Sequence, residues 1–317
     1  MVVKKQLITD NYALHCGDCV EVLADYPDES IGFSVFSPPF SDLYSYTDEQ
    51  EDMSNVRDYK EFFKHFRFLV NELLRLMLPG RVVAVHCMDI PTYKRDGEGI
   101  GIRDFPGDIV RCFQKVGFIF HSRHCIWKDP LIAATRTKAI GLAHKSVVKD
   151  SSICRTGIPD YIVSFRKPGE NLKPIENLNG FTEYIGSRSV PKDFDKYIGC
   201  EIPKKNRRSQ WIWQQYASPV WFDIDQTKVL PFRNAKGKDD TKHICPLQLQ
   251  TIERCMVLWS REGDNVLSPF MGVGSEVYVA VKNGRRGIGV ELKKSYYRQA
   301  VLNVKQAEKK RSAGFDL

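Results

Sequence analysis

The chain has 317 residues, 42% of them hydrophobic and 27% charged, with a formal net charge of +8. That length carries one large α/β domain with a sizeable insertion, or two small domains, and no apolar run is long enough to span a membrane. The positive balance suits a polyanion partner and equally an enzyme with a basic surface, so charge alone does not choose between them.

In chain order, the first apolar run of interest is Ile31-Gly32-Phe33-Ser34-Val35-Phe36, short, continuous and β-prone, which reads as a buried strand. Ser37-Pro38-Pro39-Phe40 ends it, and a polar loop follows through Asp42, Asp48, Glu49, Glu51 and Asp52. Phe62, Phe63, Phe66, Leu69, Val70, Leu73, Leu74 and Met77 then recur at helical spacing, predicting a helix from Tyr59 to Leu78 that Pro79-Gly80 stops. Val82 to Val85 reads as a second buried strand, and Asp104 to Val116 as a helix ended by Gly117. Phe118 to Trp127 is a strand with Phe118, Phe120 and Ile126 expected in the core, and Tyr161 to Phe165 is another, with Lys167-Pro168-Gly169 marking a boundary. Beyond about residue 170 the composition shifts. Residues 186–242 show weak periodicity, many turns, a series of Lys and Arg and three of the five tryptophans. The α/β pattern returns with a helix from Pro246 to Trp259, a strand at Asn265–Leu267, a helix from Ser275 to Asn283, a strand at Arg286–Val290 and a basic helix from Tyr296 to Lys310. Strands alternating with helices predict a mostly parallel sheet covered on both faces.

The cysteines are nine, an odd number. Cys16-x-x-Cys19 lacks the second pair that a zinc site needs, so no metal is expected. Cys87, Cys112 and Cys125 sit in apolar stretches, where a reduced thiol behaves as a small hydrophobe. With no signal peptide, this points to a reducing cytosol, in a prokaryote or a phage-encoded setting.

Two motifs carry chemistry. Ser268-Pro269-Phe270-Met271-Gly272-Val273-Gly274-Ser275 joins a strand to a helix, where glycines allow close backbone approach and the helix N-terminus favours electron-rich groups. Glu291 ends the next strand, where an acidic side chain can accept both ribose hydroxyls of a nucleoside cofactor. No Gly-Lys-Ser/Thr follows, which sets the loop apart from a phosphate-binding Walker loop. In Ser37-Pro38-Pro39-Phe40 the prolines fix φ and remove two N–H donors. The Ser37 hydroxyl and the Pro38 carbonyl are then free to accept both protons of a planar ring's NH2 group, with Phe40 stacked on the ring. Two such acceptors raise electron density on a poorly nucleophilic aromatic amine and stabilise the positive charge that grows as it attacks a methyl sulfonium. Each motif alone also reads as an ordinary tight turn.

In their order, Ser37–Phe40 ahead of Phe270-x-Gly272-x-Gly274 with a basic aromatic stretch between, the chain resembles the permuted beta class of DNA amino-methyltransferases, which modify N4 of cytosine or N6 of adenine. The resemblance runs from about residue 12 to 305. It implies a Rossmann-like sheet of the S-adenosylmethionine methyltransferase type in circularly permuted order: a catalytic part at 1–170, a target-recognition region at 171–242 and an S-adenosylmethionine-binding part at 243–317. It implies S-adenosylmethionine as cofactor, double-stranded DNA with a flipped-out base as substrate, and a homodimer. Residue by residue, Ser37, Pro38, Pro39 and Phe40 take the catalytic motif. Asp18 matches the family's adenosine-contacting Asp, His243 and Pro246 its His-Pro segment, and Ser268, Phe270, Gly272, Gly274, Ser275 and Glu291 its cofactor loop. Trp127, in Ile126-Trp127-Lys128, matches the position shaping the base pocket, and equally reads as a core residue. Arg188, Lys204, Lys205, Arg207, Arg208, Trp211 and Trp213 are the expected DNA contacts, through phosphates, guanine edges and stacking. The acidic loop from Asp48 to Asp52 would repel phosphate and reads as a lid or a protein contact. One departure stands out: the family usually has Asp where this chain has Ser268, which removes a charge complementary to a cationic cofactor. A non-catalytic DNA-binding protein on the same scaffold, or a methyltransferase of RNA or of a protein amide, is the alternative. The last two normally place the glycine motif first.

Overall fold

The computed structural model describes residues 5–39, 59–92, 101–137, 142–197, 206–235 and 246–315. Eleven strands are found among them: β1 (Lys5–Ile8), β2 (Tyr12–Cys16), β3 (Ile31–Phe36), β4 (Met77–Met88), β5 (Ile90–Thr92), β6 (Gly101–Arg103), β7 (Ile119–Ile126), β8 (Asp160–Arg166), β9 (Val220–Trp221), β10 (Asn265–Ser268) and β11 (Arg286–Glu291). The helices are α1 (Cys19–Ala24), α2 (Tyr59–Leu76), α3 (Phe105–Val116), α4 (Pro130–Thr137), α5 (His144–Lys149), α6 (Arg207–Ala217), α7 (Leu249–Trp259), α8 (Ser275–Lys282) and α9 (Lys294–Phe315).

Nine strands form one sheet in the order β1-β2-β11-β10-β3-β4-β8-β7-β9, and β5 and β6 form a separate hairpin. Strands β2, β11, β10, β3 and β4 are mutually parallel. β1 and β8 run against their neighbours. Alternation along the strands feeds two cores, as a sheet buried on both faces requires. Tyr12, Leu14, Phe33, Val35, Val82 and Ala84 pack against α7, α8 and α9. Ala13, Ile31, Phe36, Val83, Val85, Leu267 and Ile288 pack against α1, α2 and α3.

β10 and β11, last in the chain, lie between β2 and β3. The helix after β10 covers one face and the helix after β3 covers the other. The chain therefore diverges at the carboxyl ends of β10 and β3, which is where an open α/β sheet leaves a crevice. Register ties the pair, with Leu267 opposite Ser34. The Ser34 hydroxyl donates to the Leu267 carbonyl at 2.9 Å. At the other end of the sheet the buried Arg81 guanidinium joins Asp264 and donates to the Gly32 carbonyl.

Several expectations are corrected. Helix α2 stops at Leu76, because Glu29 and Ser30 donate to the Arg75 and Leu76 carbonyls and turn the chain into β4, so Pro79-Gly80 lies inside that strand's span. Phe120 is 38% exposed and not a core residue: β9 covers only the far end of β7, leaving its first half as a sheet edge. The helix expected from Pro246 begins at Leu249. The turn-rich 186–242 stretch contains the three-turn helix α6, capped by the Asn206 side chain on the Ser209 N–H. It buries only Ile212 and Tyr216, too narrow a stripe to show as periodicity. Phe40, the 48–52 loop, Lys204, Lys205 and His243 lie outside the described residues.

Candidate active site at the carboxyl edge of the sheet

The fully buried strand β3 delivers Ser37, Pro38 and Pro39 to the sheet's carboxyl edge. Beside it β4 carries His86 just ahead of its last residue pair, and β8 begins there with Asp160, opposite Met88 of β4 on one side and Ile126 of β7 on the other. Ser37 Oγ lies 2.7 Å from His86 Nδ1. His86 Nε2 lies 3.2 Å from Asp160 Oδ2, and Lys128 Nζ donates to Asp160 Oδ1 at 2.6 Å. His86 is 8% exposed and Asp160 3%. Burial pushes the Asp160 carboxyl up, but the charges of Lys128 and His86 beside it outweigh burial and hold it at about 2.

On the other side of the crevice, β10 leads into the glycine loop. The Phe270 ring meets the Phe36 ring at 5.8 Å, which sets the glycine loop directly against the Ser-Pro-Pro turn. The two glycines do different work. Gly272 has φ +53 and open space where a Cβ would stand. Gly274 has φ +88 and a Cβ there would press on Ala300 of α9 at 3.1 Å, so it permits close helix packing. Glu291, ending β11, accepts from the Gly272 N–H at 3.0 Å through one oxygen and from the Lys293 N–H at 2.7 Å through the other. It thus holds the loop as well as facing it. Asp18 follows β2, whose neighbour Gly17 donates to the Glu291 carbonyl at 3.1 Å. One Asp18 oxygen caps α1 by accepting from Val20 and Glu21.

The Ser268 position, where the charge is missing, has a carboxyl beside it. Glu276, in the first turn of α8, lies against Ser268. Its Oε2 and the Ser268 and Ser275 hydroxyls are buried polar atoms without a hydrogen-bond partner. Buried groups of this kind call for a polar ligand. Together with the open space at Gly272 they fit a nucleoside cofactor bearing an amino-acid end. Pro246 stands just ahead of α7, on the helical layer that packs against α8.

Trp127 is 44% exposed, so the core role is excluded, and it sits at the end of β7 next to Lys128. Its backbone N–H donates to the Trp221 carbonyl of β9, which stitches the 186–242 stretch to this edge. Within that stretch Arg207, Arg208, Trp211 and Trp213 share α6. Trp213 is 56% exposed, whereas Trp211 packs edge-on against Tyr184. Arg188 donates to Gln215 and Arg208 to the Thr182 carbonyl. Sequence reasoning missed His86, Asp160 and Glu276. The signal available for the first two was a polar residue at the end of an apolar strand, Val82–Val85 for His86 and Tyr161–Phe165 for Asp160, where a ligand crevice opens.

Among the described residues no group of three or more His, Cys, Asp or Glu could hold a metal ion, and no helix is long and apolar enough to cross a membrane. The family model described as DNA methylase matches residues 31–302. The Type II methyltransferase M.MjaI of Methanocaldococcus jannaschii is 23% identical, over 98% of this chain and 95% of its own length. Among solved structures, a Thermus thermophilus protein assigned as a DNA modification methylase, complexed with S-adenosyl-L-methionine, superposes with a TM-score of 0.60 at 24% identity, covering 93% of this chain and 95% of that one. PvuII DNA methyltransferase (cytosine-N4-specific) gives 0.59 at 15% identity, covering 96% and 94%. At these identities the structures show a shared fold.

Proposed function

This chain belongs to the DNA methylase family whose model it matches, and from that premise we propose that it transfers the methyl group of S-adenosylmethionine to the exocyclic amino nitrogen of a base, N4 of cytosine or N6 of adenine, flipped out of double-stranded DNA. The observation that carries the reading is the contact of two motifs far apart in sequence. Parallel pairing of β3 with β10 and the Phe36–Phe270 ring contact bring the Ser37–Pro39 turn and the Gly272–Gly274 loop to one edge, which supports a reading of the first as accepting an amine and the second as holding a nucleoside.

S-adenosylmethionine, when bound, supplies an electrophilic methyl group on a positively charged sulfur. The chain's residues do the rest. Gly272, Ser268, Ser275 and Glu291 would hold the cofactor, and Glu276 would place a carboxyl near its cationic end. The Ser37 hydroxyl and Pro38 carbonyl accept the two amino protons, which directs the nitrogen lone pair toward the glycine loop and stabilises charge as it develops. Flipping is required because a stacked, paired base cannot enter a crevice at a strand end. Trp127, half-exposed at the same edge, would face the base. Arg188, Arg207, Arg208 and Trp213 form the recognition surface, with phosphate contacts expected to give a steep salt dependence. The family resemblance adds a homodimer, which sedimentation of the purified chain would test.

The direct test is incubation of duplex DNA with labelled S-adenosylmethionine, followed by nucleoside digestion and mass spectrometry. N4-methylcytosine or N6-methyladenine is expected. Incorporation only into RNA or protein, or methylation only at cytosine C5, would sink the proposal.

A further inference from the structure

We propose that Ser37, His86 and Asp160 form a proton relay, in which Ser37 touches the target amine and His86, oriented by Asp160, takes up the proton that the methylated nitrogen sheds. This rests on the amino-methylation reading above. The contacts run from the crevice inward: a hydrogen bond of 2.7 Å between Ser37 Oγ and His86 Nδ1, then an ion-pair contact of 3.2 Å between Nε2 and Asp160 Oδ2 that lies outside hydrogen-bond geometry. The second Asp160 oxygen is held by Lys128 Nζ at 2.6 Å, which fixes the carboxylate plane.

The charges set the direction of the bonds. Asp160 stays ionised at neutral pH, so it only accepts, and the His86 proton belongs on Nε2. Nδ1 is then an acceptor, and the Ser37 O–H points at it. That turns the Ser37 lone pairs outward, toward the crevice. An isolated serine hydroxyl would rotate and present a hydrogen as readily as a lone pair. His86 therefore makes Ser37 an acceptor, which is what an incoming NH2 group needs.

The same chain of bonds balances the reaction. The amine lone pair forms the N–C bond to the methyl carbon, and the C–S bond pair stays on sulfur, which becomes neutral. The nitrogen now carries the positive charge and one proton too many. That proton passes to Ser37 Oγ as the serine's own proton moves to His86 Nδ1. An imidazolium remains between Ser37 and the Asp160 carboxylate, and it returns its proton to water between turnovers. The arrangement resembles the hydroxyl–imidazole–carboxylate logic of acyl transfer, but here the hydroxyl relays a proton and forms no covalent bond. Ser37 after β3 and Asp160 from β8 contact His86, and Asp160 in turn meets Lys128 after β7 and lies close enough to Cys125 of β7 for its charge to add to the burial that pushes that thiol up.

His86 acts through Ser37, so it is a positioning residue, and its test must separate positioning from proton uptake. His86→Asn keeps an oxygen that can accept from the Ser37 hydroxyl but cannot take a proton at neutral pH. Single-turnover methylation of duplex DNA at saturating cofactor should show an acid limb in the wild-type chain. His86→Asn should lose that limb and run about 100-fold slower at pH 7.5, with cofactor affinity within about two-fold of wild type. A flat wild-type profile, a variant within about three-fold of wild type, or a variant that keeps the limb would overturn the relay. Nitrogen-15 histidine NMR of the cofactor-free chain reads the same geometry without activity. His86 should carry its proton on Nε2 and accept at Nδ1 at pH 7.5, and the opposite tautomer would overturn the relay even if the variant failed to fold. A wild-type chain that transfers no methyl to any DNA would instead count against the methylation reading, and the NMR result would still decide the geometry.

Discussion

Burial raises the Glu276 carboxyl from its ordinary 4.5 to about 8, and the nearby Glu291 charge adds to the rise. The sign of the stability effect follows. Above about pH 4.5 the unfolded chain releases a proton that the folded chain keeps until about pH 8, so this group's contribution is full below 4.5 and is lost as pH rises through 8. The thermal midpoint of the free protein should therefore fall between pH 6 and 8.5, by the equivalent of roughly a few kcal/mol at most. Glu276→Gln should flatten that fall, and an unchanged slope in the variant would remove Glu276 as its source. A cationic ligand beside Glu276 favours the ionised form. Binding of S-adenosylmethionine near pH 7 should thus release about one proton, read by calorimetry in buffers of different ionisation enthalpy. No proton release would mean that Glu276 does not meet the cofactor's charge. None of this was visible in Glu276 as a letter in an amphipathic helix. Ser268 was visible as a departure, and its compensation eight positions along needed the helix to fold back over the strand end.

Among the elements, the strand–loop–helix unit at β10 and α8 was legible, because glycine placement and apolar runs are local signals. The division of labour between its glycines was not. Gly274→Ala forces a left-handed φ and a clash with Ala300, so it should cost about 2–3 kcal/mol in urea unfolding. Gly272→Ala has room for its methyl and should cost about 1 kcal/mol through φ alone, while weakening cofactor binding by intruding on the space a ligand would fill. Equal stability losses in the two variants would contradict the assignment. The end of α2 was misread for a related reason. Pro79-Gly80 is a stop signal in any sequence window, but the carbonyls of Arg75 and Leu76 are taken by residues 29 and 30, which no window contains. Phe120 was misread because apolar character does not reveal that a strand's neighbour is only two residues long.

At the scale of the molecule, a buried ion pair adds to the β7–β9 pairing that joins the 186–242 stretch to the sheet. Arg254 of α7 donates to both Asp223 oxygens, at 3.0 and 2.9 Å, and its guanidinium lies 4.8 Å from the Tyr216 ring and 4.9 Å from the Trp221 ring. Tyr184 donates to the same carboxylate. Asp223→Ala leaves that guanidinium buried and unpaired, which should cost about 3–5 kcal/mol in denaturant unfolding. It should also weaken DNA binding more than cofactor binding, because it frees the stretch that carries α6 from the sheet. An equal loss of both affinities would argue for general destabilisation instead. By itself the sequence determined the local chemistry: a Ser-Pro-Pro turn, a glycine loop with an acidic partner, their permuted order, and most strands and helices, all written in neighbouring residues and their periodicity. Only the tertiary structure decided that β10 and β11 insert beside β3, and that Ser37, His86, Asp160 and Lys128 meet at one edge. Those contacts come from strand pairing and from burying both faces of the sheet, and the register that satisfies both depends on the whole chain at once.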